Sequence, residues 1–230
     1  MEVELNPRHR RIYETRLARE RQKILGLLHD FQRNRVLILR SLTILRQLSL
    51  DVALVEPEHD DIPSAKIEEL VAQLTEVIAG GHRALVFSQF TRFLGRIRDR
   101  LEAEGITLAY LDGSTRDRAE TVERFRSGQA TVFLISLKAG GVGLTLTEAD
   151  YCFVLDPWWN PATEAQAVDR AHRIGQTRTV FVHRYIASGT IEEKVMELKA
   201  RKAKLFSSVM DDGGAFAGGL TADDIRTLLE

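Results

Sequence analysis

Between residues 84 and 185, five short apolar runs alternate with stretches of helical pattern, and this alternation leaves few folds open. The runs are 84–88 (ALVFS), 107–111 (TLAYL), 131–136 (TVFLIS), 152–155 (CFVL) and 180–185 (VFVHRY). Each has the length of a strand, while helical periodicity fills residues of about 91–103, 115–127 and 161–173. Parallel neighbours need a crossover between them, and helices supply it. The expected fold class is therefore α/β: a doubly wound, mostly parallel sheet with helices on both faces.

Upstream, residues 64–79 (SAKIEELVAQLTEVIA) read as an amphipathic helix with Ser64 placed to cap it. Residues 8–50 read as a helical hairpin, first strongly basic and then rich in leucine at helical spacing. A segment with two prolines and four acids, 56–64 (EPEHDDIPS), links the hairpin to the rest. After the last strand, Thr190 and Glu193 predict a capping box at the start of a long helix. Residues 211–219 (DDGGAFAGG) read as a flexible connector to a short acidic helix ending at Leu229.

The totals narrow the function classes. With 44% hydrophobic and 28% charged residues in 230, the chain has the composition of a globular protein rather than a disordered tail. A net charge of −1 means that any contact with nucleic acid must come from local patches. The one cysteine, Cys152, excludes an intrachain disulfide and a cysteine-based zinc cluster. No run approaches the roughly 20 apolar residues of a membrane span, and the N-terminus lacks an apolar signal region. An intracellular protein with no membrane partner and no metal site of its own is expected.

In an open parallel sheet, ligands bind at the carboxyl ends of the strands. Four loops follow predicted strands: Ser88-Gln89-Phe90, Asp112-Gly113-Ser114-Thr115, 138–143 (KAGGVG) and 156–161 (DPWWNP). If the strands are parallel, all four share one edge. Gly140, Gly141 and Gly143, after Lys138, let backbone N–H groups approach an anion closely, although a tight turn explains them equally well. Neither GxGxxG nor GxxxxGK[ST] occurs in the chain. Asp112-Gly113 is equally a common turn, with Ser114 or Thr115 free to cap the next helix. Trp158 and Trp159, between Pro157 and Pro161, cannot easily both enter one core, so one of them is a candidate for stacking on a base or sugar.

The stretch 166–176 (QAVDRAHRIGQ) places Gln166, Asp169, Arg170 and Arg173 on one helical face at i, i+3, i+4 and i+7. An arginine pair on a rigid element suits a phosphate, since guanidinium is permanently charged and its fork matches phosphate oxygens. The plain alternative is a solvated face with an Asp169–Arg173 pair.

The order of these motifs carries more information than any one of them. SAKIEEL, LVFSQF, YLDGST, FLISLKAGGVGLTLTEAD and DPWWNPATEAQAVDRAHRIGQTR resemble, in that order, the C-terminal half of the motor of Swi/Snf-type ATPases. These are double-stranded-DNA translocases of superfamily 2. The resemblance spans roughly residues 3–209, and RAHRIGQ is highly specific. It implies a second RecA-like lobe at 61–190, a helical protrusion and linker at 1–60, a brace helix at 191–210 and a flexible tail with a short helix at 211–230. It further implies ATP with Mg2+ held mainly by a first RecA-like lobe. That lobe's phosphate loop and acidic motif are absent from this sequence, so the chain is expected to be a piece of a two-lobed motor and inactive alone. Its implied partners are double-stranded DNA and that first lobe.

Residue by residue, the resemblance implies that Arg170 and Arg173 are arginine fingers reaching the γ-phosphate. Gln166, Asp169, Gly141 and Gly143 match the nucleotide and interlobe motifs. Ser88, Gln89, Asp112, Gly113, Ser114, Lys138, Gly140 and Trp159 match the DNA side. Thr145 stands where many members have asparagine, and His9 where many have glutamine. Two other readings are a non-catalytic RecA-like module that binds DNA or protein, and an RNA helicase lobe. The DPWWNP and RAHRIGQ strings favour the double-stranded-DNA group over the latter.

Overall fold

The computed structural model describes residues 1–136, 146–158, 169, 178–209 and 220–229, without the side chains of 202–209. These residues form two compact units, Met1–Val3 with Pro63–Ile186, and Glu4–Ile62 with Ala187–Glu230.

The first unit holds strand β1 (Glu2–Val3), helix α3 (Ala65–Ala79) and five further strands: β2 (Ala84–Ser88), β3 (Leu108–Leu111), β4 (Val132–Ser136), β5 (Tyr151–Val154) and β6 (Phe181–Arg184). Between them lie α4 (Thr91–Ala103) and α5 (Arg118–Arg126). The five strands make one sheet in the order β3-β4-β2-β5-β6, and every pairing is parallel. The α/β expectation holds, and the strand positions agree with the apolar runs to within a residue or so at each end.

Why the runs are so uniformly apolar follows from burial on both faces. All five residues of β2 and all five of β4 are buried. One face carries Leu85, Phe87, Ala109, Leu111, Phe133, Ile135, Cys152 and Val154, packed with Val122 and Phe125 of α5. The alternate residues face the other way, and there Tyr110 meets α4: its hydroxyl donates to the Thr91 carbonyl at 3.4 Å, and the Arg98 guanidinium lies 5.7 Å over its ring. α4 turns Phe93, Leu94, Ile97 and Leu101 inward at helical spacing. α3 does the same with Ile67, Leu70, Val71, Leu74 and Val77, and its cap is the one expected, with the Ser64 hydroxyl accepting from the Ile67 amide.

One cap differs from expectation. α5 is capped by the Asp117 carboxylate, which accepts from the Glu120 amide at 2.9 Å, and not by Ser114 or Thr115. Those two residues are used inside the preceding turn.

The second unit is built on α1 (Pro7–Leu27) and α2 (Phe31–Leu50), with α6 (Ile191–Val209) and α7 (Ala222–Leu229). Pro7 at the first helical position and the Asn6 side chain, accepting from the His9 amide at 2.8 Å, start α1. Leu5, Tyr13, Leu48, Val52, Ile62 and Ala187 share a core. His9 is fully buried, and its Nε2 bonds the Leu48 carbonyl at 2.5 Å, tying the start of α1 to the end of α2. The Tyr13 hydroxyl accepts the first amide of α6, from Ile191, at 2.7 Å.

The Thr190–Glu193 box is replaced by a shifted version. Thr190 Oγ1 accepts from the Glu192 amide and donates to the Ala187 carbonyl, while the buried Glu192 carboxylate accepts the Ala187 amide at 2.9 Å. Gly189, at φ +65°, turns the chain so that the Ala187 amide faces the helix start. Both the carboxylate and the amide it reaches therefore differ from the expected box, in which Glu193 would accept the Thr190 amide.

Candidate functional site

The parallel register fixes where the loops begin. Ser88 pairs with Ser136, Phe87 with Val154, and Leu111 with Ile135, so the four chain segments leaving β2, β3, β4 and β5 emerge from one edge of the sheet. That shared edge is the one the sequence singled out.

Two of its loops are locked to each other. Asp156, nearly fully buried, accepts the Gln89 amide at 3.2 Å, and its carboxylate also takes a hydrogen bond from the Gln89 side-chain amide. The loop after β2 is thus tied to the loop after β5, which lie on neighbouring strands at the middle of the sheet. Ser88 itself is fully buried, and its hydroxyl accepts the Phe90 amide at 3.1 Å. Its side chain shapes the turn, and the exposed part of this loop begins beyond it.

Beneath this bridge sits a lysine that the sequence reading gave no role. Lys66, in the first turn of α3, is fully buried, and its Nζ donates to the carbonyls of Leu155 at 2.6 Å and Tyr185 at 3.0 Å. A cation at a helix N-terminus opposes the helix dipole, and burying an ammonium is costly. These oxygens, at the ends of β5 and β6, offset that cost in part. The available signal was its setting: a lysine on the helix face that also carries Leu70. Asp156 was likewise visible in the DPWWNP loop but was assigned no part.

The third loop is wired by its own carboxylate. Asp112 accepts from the Ser114 amide at 2.8 Å, the Ser114 hydroxyl at 2.6 Å and the Tyr110 hydroxyl at 3.1 Å. Desolvation pushes the Asp112 carboxyl up, but these donors outweigh it and hold it below the usual carboxylate range. Gly113 and Ser114 form the exposed tip, with open space around Gly113.

Of the remaining sequence candidates, Asp169 is exposed. Trp158 is half-buried and packs on the sheet core beside Val180 and Val182. Lys138, Gly140, Gly141, Gly143, Trp159, Gln166, Arg170 and Arg173, with Thr145 and the helix expected at about 161–173, lie outside the described residues. The structure therefore brings together Ser88, Gln89 and the exit of β5 at one edge, from which the Asp112–Ser114 loop also leaves.

Comparison with known proteins gives this arrangement a class. Residues 65–175 match the helicase conserved C-terminal domain. The DNA repair protein RAD5 of Cryptococcus neoformans is 43% identical over 171 residues, which are 72% of this chain and 14% of that protein. An uncharacterized ATP-dependent helicase of Mycoplasma pneumoniae is 35% identical across 99% of this chain and 22% of its own length. The Sulfolobus solfataricus SWI2/SNF2 ATPase C-terminal domain superposes with a TM-score of 0.78 at 25% identity, covering all of this chain and 96% of that one. The SWI2/SNF2 ATPase core of the same organism, solved in complex with double-stranded DNA, gives 0.77 at 28% identity over all of this chain and 49% of that one.

The fold and the matched domain thus define a RecA-like helicase C-terminal lobe. The chain belongs to the SWI2/SNF2 family of ATPases. It spans about 14% of the length of the curated relatives first compared.

Proposed function

We propose that this chain is the second motor lobe of an ATP-dependent double-stranded-DNA translocase, acting inside the cell: in the cytoplasm or nucleoid of a bacterium or the nucleus of a eukaryote. The observation that carries the reading is the single sheet edge from which the Gln89, Asp112–Ser114 and Asp156 loops leave, in a chain whose whole length superposes on a DNA-bound SWI2/SNF2 core. In this reading Arg170 and Arg173 are arginine fingers, and Gln166, Asp169, Gly141 and Gly143 serve the nucleotide and the contact between lobes. Gln89, Asp112, Gly113, Ser114, Lys138, Gly140 and Trp159 face the DNA backbone, and Ser88 holds the turn that presents Gln89. The reading keeps the helical protrusion at 1–60, the lobe at 61–190, the brace helix at 191–210 and the tail at 211–230.

ATP with Mg2+ is assigned to the opposite lobe, where it supplies the phosphoryl group and neutralises its charge. The described edge of this lobe fits that division, because its buried carboxylate Asp156 is already engaged by Gln89. What this chain contributes is charge and position. Guanidinium groups placed against the γ-phosphate stabilise the charge that develops on transfer, an effect of about 10³ to 10⁵ in rate for arginine fingers. Because they come from a separate lobe, hydrolysis requires closure of the two lobes, and the same closure moves the grip on DNA. Contacts to phosphates rather than bases make that grip insensitive to sequence.

The test is reconstitution with a first lobe carrying the phosphate loop. The chain alone is expected to hydrolyse negligible ATP, and the two lobes together to show DNA-stimulated hydrolysis. Normal rates in reconstituted Arg170→Ala and Arg173→Ala motors would remove the finger assignment. Persistent duplex binding without hydrolysis from any partner lobe would establish a non-catalytic module instead, and a preference for single-stranded RNA would point to an RNA helicase lobe.

A further inference from the structure

Helix α1 carries charge that the ATPase reading does not use. Its 21 residues include Arg8, Arg10, Arg11, Arg16, Arg19, Arg21 and Lys23 against Glu14 and Glu20, a local excess of positive charge in a chain whose net charge is −1. At 100° per residue, Arg8, Arg11, Thr15, Arg19 and Lys23 fall along one stripe, with Ile12 within it, Arg16 at its border and no acid of the helix inside it; at its two ends Arg8 pairs with Asp61 at 2.8 Å and Lys23 with Glu20 at 3.5 Å. His9, Tyr13, Glu20 and Ile24 form the buried side. A rise of 1.5 Å per residue makes the stripe about 22 Å long from Arg8 to Lys23.

The stripe is concave. Arg11, Ile12, Thr15, Arg16 and Arg19, with Glu56 beside them, line a groove of about 250 Å³ within the helical unit. Arg11 and Arg19 are exposed and make no ion pair among the described residues. Arg16 is held more deeply. Its guanidinium lies 3.8 Å from both Glu20 and Glu56, too long for a hydrogen bond, and its Nε–H is buried without an acceptor. Arg11 and Arg19 stand open on either side of Arg16, which is shared between the two carboxylates, so the groove's spare positive charge is theirs, and the Thr15 hydroxyl donates to the Arg11 carbonyl.

We infer that this groove is a second nucleic-acid contact that binds the phosphodiester backbone of duplex DNA. Guanidinium groups match phosphate oxygens in geometry and keep their charge at any physiological pH. A stripe of this length faces about six phosphates of one strand at 3.4 Å of helix axis each. The guanidinium groups around the groove give it the positive charge that complements a polyanion. The contact reads no sequence, since phosphates carry none. It lies on a different unit from the sheet edge and needs no nucleotide, so it stands or falls separately from the ATPase reading.

The test is nucleotide-free binding of this 230-residue chain to a fluorescent mixed-sequence duplex across a salt series. The double variant R11Q/R19Q removes two phosphate contacts. Its plot of log affinity against log salt is expected to be shallower by roughly 1.8, so that a fourfold rise in salt costs it about 12-fold less affinity than it costs the unchanged chain. R21Q removes one charge from the same helix outside the stripe and should leave the slope as it was. A circular dichroism melt shows that all three proteins are folded alike. An unchanged slope in R11Q/R19Q, an equal loss per charge in R21Q, or no duplex binding at all would overturn the inference. Polyglutamate of equal charge binding as tightly as the duplex would assign the groove to an acidic protein segment instead.

Discussion

Replacing Lys66 with methionine tests the polar support under the sheet edge. The side chain is fully buried and donates to two carbonyls, of Leu155 and Tyr185. Hydrogen bonds from a charged group are worth about 1.5–3 kcal/mol each, so the gross loss is about 3–6 kcal/mol. Methionine fills a similar volume and no longer requires an ammonium to be desolvated, which returns part of that sum. The two carbonyls lose their donor, and the expected net loss is about 3 kcal/mol. For a domain of this size each kcal/mol moves the melting temperature by about 2–4 °C, giving a fall of about 6–12 °C. Both tryptophans follow β5 directly, and Trp158 packs on the sheet core, so tryptophan fluorescence reports the melting of this unit. Lys66→Arg should also destabilise, because a fully enclosed site cannot take the longer, planar head group. A Lys66→Met protein melting within about 1 °C of the unchanged chain, against the shift expected from its size, would refute the account.

Three further outcomes follow from the described residues. Burial lowers the pKa of His9 below its ordinary value despite the Leu48 carbonyl, and its buried Nδ1 has no acceptor. The unfolded chain therefore takes up the proton first, and stability is full above about pH 6.5 and falls as pH drops toward the lowered folded value. His9→Gln, whose amide can also donate to Leu48, should flatten that part of a pH series of urea melts. Tyr13→Phe leaves the buried Ile191 amide without its acceptor and should cost about 1–3 kcal/mol in the same assay. Burial pushes the Cys152 thiol up to about 12, so an aromatic disulfide reagent should label it only after denaturation.

How much of this was legible depends on where each residue's partners lie. The five strands could be read because burial on both faces of a parallel sheet leaves continuous apolar runs. Ser64 could be read as a cap because its acceptor role is satisfied three residues away. Ser88 was grouped with the exposed loop because a serine after a strand looks like a polar exit, yet its hydroxyl is spent on Phe90, two residues on. Lys66 was not legible as a structural residue. Its partners are 89 and 119 residues away, and a lysine two residues into an amphipathic helix reads as solvated. The groove on α1 was visible as charge but not as shape, because Glu56, which lines it, comes from the segment that follows α2 in the chain.

Strand β5 lies between two buried carboxylates, and they do different jobs. Ahead of it, Asp150 accepts from His82 at 2.6 Å, from the Arg83 amide at 3.4 Å and from Arg178 at 3.2 Å. Desolvation pushes this carboxyl up, but those donors hold it below the usual range, so it stays ionised and binds the starts of β2, β5 and β6 together. Behind the strand, Asp156 holds Gln89 through the neutral backbone and side-chain amides of that residue. At the site edge the Gln89–Asp156 bridge joins a loop proposed to face DNA to the segment that leads toward Arg170 and Arg173. Asp150, with donors from His82, Arg83 and Arg178, keeps the strands beneath in register.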